Sequence, residues 1–239
     1  MTIEFRKVTW YSKLLALALF VALPFIGFMF GSWYGGLSAH VSDMASLYGA
    51  PIQPDSSLPE YYRNTDEWQV AQRNDAGFSI AYPLDFTPND IYAQVPAPDW
   101  SVMAQGNPGT LAMTLVIPKA FEPQTNFNEA RLTVGRSGNK AAVQLCTAIP
   151  APGLPGTYAT TSINGVLFSV YHMTDAGAGN LYDTTSYRAV HNGQCYAIEY
   201  TIHSSQIMNY PPEYHLQPFD IGRVTQVLNR IVATFRFIN

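Results

Sequence analysis

Positive charge is scarce in this chain of 239 residues. Thirteen lysines and arginines stand against seventeen aspartates and glutamates, for a formal charge of -4, and charged residues make up only 13% of the sequence. Binding to a phosphate backbone normally needs a clustered basic face, so no nucleic-acid partner is expected. Cysteine is scarcer still. Cys146 and Cys195, 49 positions apart, form neither a CxxC redox pair nor a zinc knuckle. The five histidines, His40, His172, His191, His203 and His215, lack the HExxH spacing of a zinc helix and read as surface or strand-end residues. No GxSxG elbow, SxxK pair or phosphate loop occurs. Asp66 and Glu67 adjoin in linker-like sequence, where solvation accounts for them. The expectation is therefore no catalytic, cofactor-binding or metal-binding residue, no cofactor and no enzyme. A hydrolase of unrecognised type is the alternative, and it requires a deep polar pocket with convergent His, Asp or Glu.

Apolar residues are plentiful by contrast, at 47% of the chain, and seventeen glycines, seventeen prolines, fifteen tyrosines and thirteen phenylalanines favour strands and turns. The most apolar stretch is LLALALFVALPFIGFMFGSWY, residues 14–34. As a helix it rises about 31 Å, enough for a hydrocarbon core of roughly 30 Å. Trp10, Tyr11, Trp33 and Tyr34 bracket it as interfacial aromatics do. Pro24 removes one backbone donor, which membrane helices tolerate. Arg6, Lys7 and Lys13 precede the run and Asp43, Asp55 and Glu60 follow it, so the positive-inside rule places the N-terminus in the cytoplasm. The expected organisation is a cytoplasmic N-terminus over 1–13, a transmembrane helix over 14–34, a linker over 35–65 and one extracytoplasmic domain over 66–239. A cleaved secretory signal and a buried core helix are the competing readings of the apolar run. The expected location is the cell membrane, single-pass, with the C-terminal domain outside.

Within that domain, DAGFSIAYPLDF alternates Phe78, Ile80 and Tyr82 with small residues and stops at Pro83, a strand pattern. TLAMTLVIPK places Leu111, Met113, Leu115 and Ile117 on one face, and NEARLTVGRS reads as a third strand. NKAAVQLC reads as a short helix ending near Cys146, before the break IPAPGLPG. Asn164-Gly165 precedes another apolar run. Asn192-Gly193 sits between two, where both residues accept positive φ in a type I′ turn. A two-residue loop there pairs His191 with Gln194, Val190 with Cys195 and Tyr187 with Ile198. It then puts Tyr196, Ile198, Tyr200 and Ile202 on one face and Cys195, Ala197, Glu199, Thr201 and His203 on the other. TDAGAGNLYD suggests a calcium loop but misses the EF-hand pattern and reads instead as a mobile connection. From Asp220, Ile221, Val224, Val227, Leu228, Ile231, Val232 and Phe235 recur at helical spacing, with Arg223, Asn229 and Arg230 outward. The fold class is α+β, an antiparallel sheet with helices. In an exported domain Cys146 and Cys195 are expected to form a disulfide stapling the short helix to the sheet, with two separate buried thiols as the alternative.

The segments GFSIAYPLDF, AGAGNLYDTTSYRAVHNGQCYAIEYTIHSSQIMNYPP and FDIGRVTQVLNRIVATFRF resemble a group of uncharacterised single-pass or exported bacterial proteins with a PsbP/Mog1-like domain. The resemblance covers about residues 70–239. It implies an antiparallel sheet flanked by helices and, since PsbP is an accessory photosystem subunit and Mog1 binds a small GTPase, a non-enzymatic role. The expected function is a membrane-anchored, non-catalytic module that binds a protein partner or supports an envelope complex. The alternative is an envelope binder of calcium, a small molecule or a glycan, using TDAGAGN or the aromatic pair Tyr210 and Tyr214.

Overall fold

The computed structural model describes residues 10–37, 58–89, 96–97, 100–149 and 156–238. Residues 1–9, the greater part of the expected linker with His40, and residues 150–155 of the Pro/Gly-rich break lie outside the described residues. The chain divides into two compact units, Met1–Tyr48 and Gly49–Asn239.

The first unit holds helix α1 (Trp10–Leu37), which continues through Pro24. Leucine and alanine dominate its first half, and both are strong helix formers. Side chains are described as far as Phe25, and among them Leu15, Leu17, Phe20 and Phe25 are exposed. A membrane span needs about 20 consecutive apolar residues. Among the described residues no helix is long and apolar enough to cross a membrane. The transmembrane helix expected over 14–34 is found among the described residues as an apolar helix only.

The second unit packs from Leu58, which is 1% exposed in the core, so packed chain begins ahead of the linker end expected at residue 65. Helix α2 (Glu60–Arg63) and a 3-10 turn over Thr65–Glu67 follow, the turn capped by Asn64, whose Oδ1 accepts from the Asp66 N–H at 3.1 Å. Strands β1 (Gln69–Arg73) and β2 (Phe78–Tyr82) pair antiparallel and are joined on the far side by β11 (Arg236–Phe237), a small sheet in the order β1-β2-β11.

The main sheet contains β3 (Thr87–Pro88), β4 (Pro96–Ala97), β5 (Gly109–Ile117), β6 (Phe127–Ser137), β7 (Thr157–Ile163), β8 (Val166–Gly177), β9 (Asn180–His191) and β10 (Gln194–Ser205). Its order is β3-β5-β6-β10-β9-β8-β7, with β4 also paired to β5, and every pairing is antiparallel. The hairpin register is the expected one: His191 pairs with Gln194, Val190 with Cys195 and Tyr187 with Ile198. Asn192 and Gly193 take φ of 47° and 71°, as a type I′ turn requires. Asn164-Gly165 forms a second such hairpin between β7 and β8. Ala178 and Gly179, at φ 50° and 79°, form a third between β8 and β9. TDAGAGN is therefore a two-residue turn between continuous strands, not a mobile connection. Its tip is held where Gln206 N–H and Asn209 Nδ2 donate to the Gly179 carbonyl at 2.8 and 3.1 Å.

On one face Ile198, Tyr200 and Ile202 join Met113, Leu115, Leu132, Val134, Phe168 and Val170 in the core. Helix α4 (Ile221–Ala233) covers it with Val224, Val227, Leu228, Ile231 and Val232, its N-terminus capped where Asp220 Oδ1 accepts from Arg223 N–H at 3.0 Å. Three sequence expectations shift here. Leu111 does not share the face of Met113, because a bulge at Ala112 breaks the register between Leu111 and Met113. Phe235 is buried as expected but lies beyond the helix, which stops at Thr234, leaving Arg236 and Phe237 free to pair with β2. Asn229, expected outward, instead accepts from Tyr187 and Tyr200 hydroxyls at 2.9 Å each. Asn229→Ala strips the acceptor from two phenols in the core, and a loss of about 1–3 kcal/mol is expected in equilibrium urea unfolding.

Candidate functional site

The second face of the main sheet is built differently, and the alternation of β10 explains why. Cys195 and Ala197, at its start, face a small apolar cluster with Trp100, Ala104, Ala142 and Cys146. Helix α3 (Lys140–Leu145) delivers Cys146, and Asn139 caps that helix by accepting from Ala141 and Ala142 N–H at 2.9 and 3.2 Å. Cys146 and Cys195 are disulfide-bonded, with Cα atoms 5.5 Å apart, so helix and sheet are stapled as expected. Trp100, 2% exposed, lies over Gly109 and Gly135: a Cβ on Gly109 would fall 2.3 Å from the indole, and one on Gly135 would fall 2.0 Å from the Trp100 carbonyl oxygen. The two glycines form the socket that lets residues 100–107 cross the sheet.

Further along β10 the same face turns polar. Antiparallel register produces three cross-strand rungs: Thr114, Thr133, Glu199 and Ser186; then Arg131, Thr201 and Thr184; then Glu129, His203 and Tyr182. With segment 101–106 as one wall, all of these side chains except the fully buried Ser186 line an open groove of about 760 Å³. Arg131 Nη2 donates to Glu129 Oε1 at 3.0 Å, Thr184 and Thr201 hydroxyls meet at 2.9 Å, and the rings of Tyr182 and His203 stack at 4.8 Å with 12° between planes. His203 Nε2 lies 2.9 Å from Asn180 Oδ1.

Glu199 fastens the wall. Its Oε1 accepts from Ser186 Oγ at 2.6 Å and Ser101 Oγ at 2.8 Å, and its Oε2 accepts from Val102 N–H at 2.9 Å. Burial pushes the Glu199 carboxyl above the ordinary carboxylate range, against the lowering effects of these donors and of Arg188. A raised folded pKa means the folded chain binds the proton more tightly, so this contribution to stability is complete below about pH 4.5 and declines as pH rises through the folded value. Glu199→Gln should remove that decline: denaturant melts of the variant should lose less stability than wild type between pH 5 and pH 8.

The other residues singled out from sequence do not converge here. His172 is buried rather than superficial, its Nδ1 3.3 Å from Thr185 Oγ1 and 3.6 Å from Asp183 Oδ1, on the core face of the sheet. Burial lowers its pKa. His191 stacks on Phe237 at 3.9 Å, and His215 is exposed beyond a 3-10 turn. Tyr214 is exposed on the surface and Tyr210 half-buried, and neither lines the groove. Asp175 accepts from the adjacent Ala176 N–H at 2.8 Å, and among the described residues no group of three or more His, Cys, Asp or Glu side chains is placed to hold a metal ion. Sequence alternation had put Glu199, Thr201 and His203 on one face. It did not single out Arg131, Glu129 or Tyr182, whose signal is the pairing of β6 and β9 on either side of β10.

No family model matches the chain, and no curated protein sequence matches it. Among solved structures, a crystal structure at 1.50 Å from Bacteroides thetaiotaomicron VPI-5482 aligns at 10% identity and a TM-score of 0.37, covering 69% of this chain and 46% of its own. The chain therefore spans less than half the length of that protein. The solution structure of cyanobacterial PsbP (CyanoP) from Synechocystis sp. PCC 6803 aligns at 8% identity and a TM-score of 0.36, covering 79% of this chain and 99% of its own. At TM-scores below 0.5 neither likeness adds to the sheet order and register in defining the fold, which is α+β with antiparallel sheets.

Proposed function

We propose that this chain is a non-catalytic binding module of the cell envelope, held at a membrane by α1 and facing an oxidising, extracytoplasmic space. The single observation that carries the binding reading is the open, polar groove over β6, β10 and β9. Its one fully buried carboxylate, Glu199, spends its oxygens on Ser101, Ser186 and Val102, fastening a wall rather than facing a reactant. The groove's charged pair, Glu129 with Arg131, is satisfied internally. General acid–base work needs a titratable group within reach of the substrate, and both arrangements favour recognition over bond making. The disulfide supports the oxidising compartment. Exposed Leu15, Leu17, Phe20 and Phe25 support contact between α1 and lipid.

The protein partner implied by the sequence resemblance is kept as the envelope assembly this module serves, and the PsbP/Mog1-like assignment belongs to the same proposal. It rests on the GFSIAYP strand ending at Pro83 and on the C-terminal helix that packs against the sheet. Intact cells carrying a C-terminal tag test the location. External protease should remove the tag, and thiol alkylation before reduction should label neither cysteine. A protected tag with both cysteines alkylated contradicts it.

A further inference from the structure

The groove's chemistry is specific enough to name a ligand class, on the reading that it is a binding surface. Its charges cancel in place. Glu129 and Arg131 are paired at 3.0 Å, and the Glu199 carboxylate is held by three donors with Arg188 nearby. Among the described residues no charged ligand finds an unmatched counter-ion there, so complementarity favours a neutral one. What the groove offers instead is paired donors and acceptors. A guanidinium carries five N–H groups and a carboxylate about four lone-pair sites, and each keeps positions beyond their mutual bond; their side chains are 47% and 38% exposed. Hydroxyls of Thr133, Thr184 and Thr201 extend that surface along the adjoining strands. At the rim stands one aromatic platform. Tyr182, backed by His203, remains 36% exposed, which leaves ring surface for a flat apolar group.

A ligand with an apolar C–H face on one side and a fringe of hydroxyls, each both donor and acceptor, matches all three features. We propose that the groove binds a neutral saccharide, with Tyr182 as its stacking platform and the Arg131–Glu129 pair gripping its hydroxyls. The volume, about 760 Å³, lies in the range of small-ligand sites and suits a short oligosaccharide. This site is distinct from the Tyr210 and Tyr214 stretch, which the fold leaves outside the groove.

The full chain in phospholipid nanodiscs, free of sugar-based detergent, is titrated with maltotriose, cellotriose and chitotriose, and with trigalacturonate as an anionic comparator, using saturation-transfer NMR. At least one neutral trisaccharide should bind, and more tightly than trigalacturonate. Tyr182→Ala should weaken binding about tenfold while Tyr182→Phe stays within about twofold, because the ring face and not the hydroxyl makes the contact. Far-UV circular dichroism confirms that each variant is folded. No binding by any of the three neutral sugars overturns the proposal, as does binding that Tyr182→Ala leaves unchanged or that favours the anion. A photo-crosslinking amino acid at Thr201 separates two failures. Crosslinks to polypeptide without sugar binding overturn the saccharide and leave the groove reading standing, whereas neither adduct nor sugar binding overturns both.

Discussion

Cys146→Ala combined with Cys195→Ala should lower unfolding free energy by about 4 kcal/mol, from the chain entropy regained by a loop of this length. At about 2–4 °C per kcal/mol for a domain of this size, that is a fall in Tm of roughly 8–16 °C. The loop closed by the bond spans 49 positions and contains all of β7, β8 and β9, so the unfolded chain gains much freedom when it is cut. The effect is local as well. The bond lies in the same small cluster as Trp100 and Ala104, at the foot of the groove wall. Hydrogen exchange should therefore speed up in residues 100–107 more than in α4, whose contacts are on the opposite face of the sheet. Calorimetry of wild type with and without reductant gives an independent check, since reduction should reproduce the double variant. A loss below about 1 kcal/mol would mean that the unfolded chain is already restricted here by other means.

Trp100→Ala is the second large effect. The indole is almost fully buried, donates from Nε1 to the Asn107 carbonyl at 2.9 Å, and fills the socket above Gly109 and Gly135. Its truncation should cost about 3–5 kcal/mol, from lost burial plus the cavity left behind. Gly135→Ala tests the same packing from below. Its new methyl would sit 2.0 Å from a backbone oxygen, which cannot rotate away as a side chain can, so segment 100–107 must lift. Lifting withdraws Ser101 Oγ and Val102 N–H from Glu199 and removes one side of the groove. Both variants should thus lose groove binding together with stability, in contrast to Asn229→Ala on the far face, which should lower stability with the groove intact.

What could be read from sequence follows the range over which each signal acts. The Asn192-Gly193 hairpin, its register and the two faces of β10 were legible because turn geometry and period-two alternation are local. Helix α4 was legible for the same reason. The β8–β9 turn was misread because its first central residue is Ala178, which carries no turn signal although it takes positive φ. Leu111 was misplaced because a single extra residue at Ala112 reverses the face of everything on its side of the bulge. Strand β11 is two residues long and exists only because β2 has a free edge, which no local pattern records. The groove was half visible. Glu199, Thr201 and His203 were grouped by alternation and the hairpin register sets Tyr182 and Thr184 beside them, yet Glu129, Arg131 and Thr133 come from β6 through a pairing far apart in sequence, and the wall comes from a segment whose place depends on two distant glycines.

The most direct measurement is crosslinking of the full chain in intact cells followed by mass spectrometry, comparing wild type with Tyr182→Ala and Arg131→Ala. The expected result is that wild-type saccharide adducts concentrate on residues 100–106, 129–133, 182–184 and 199–203, and that both substitutions deplete them. Adducts concentrated elsewhere on the domain, or undiminished by either substitution, would contradict the groove as the surface through which this protein acts.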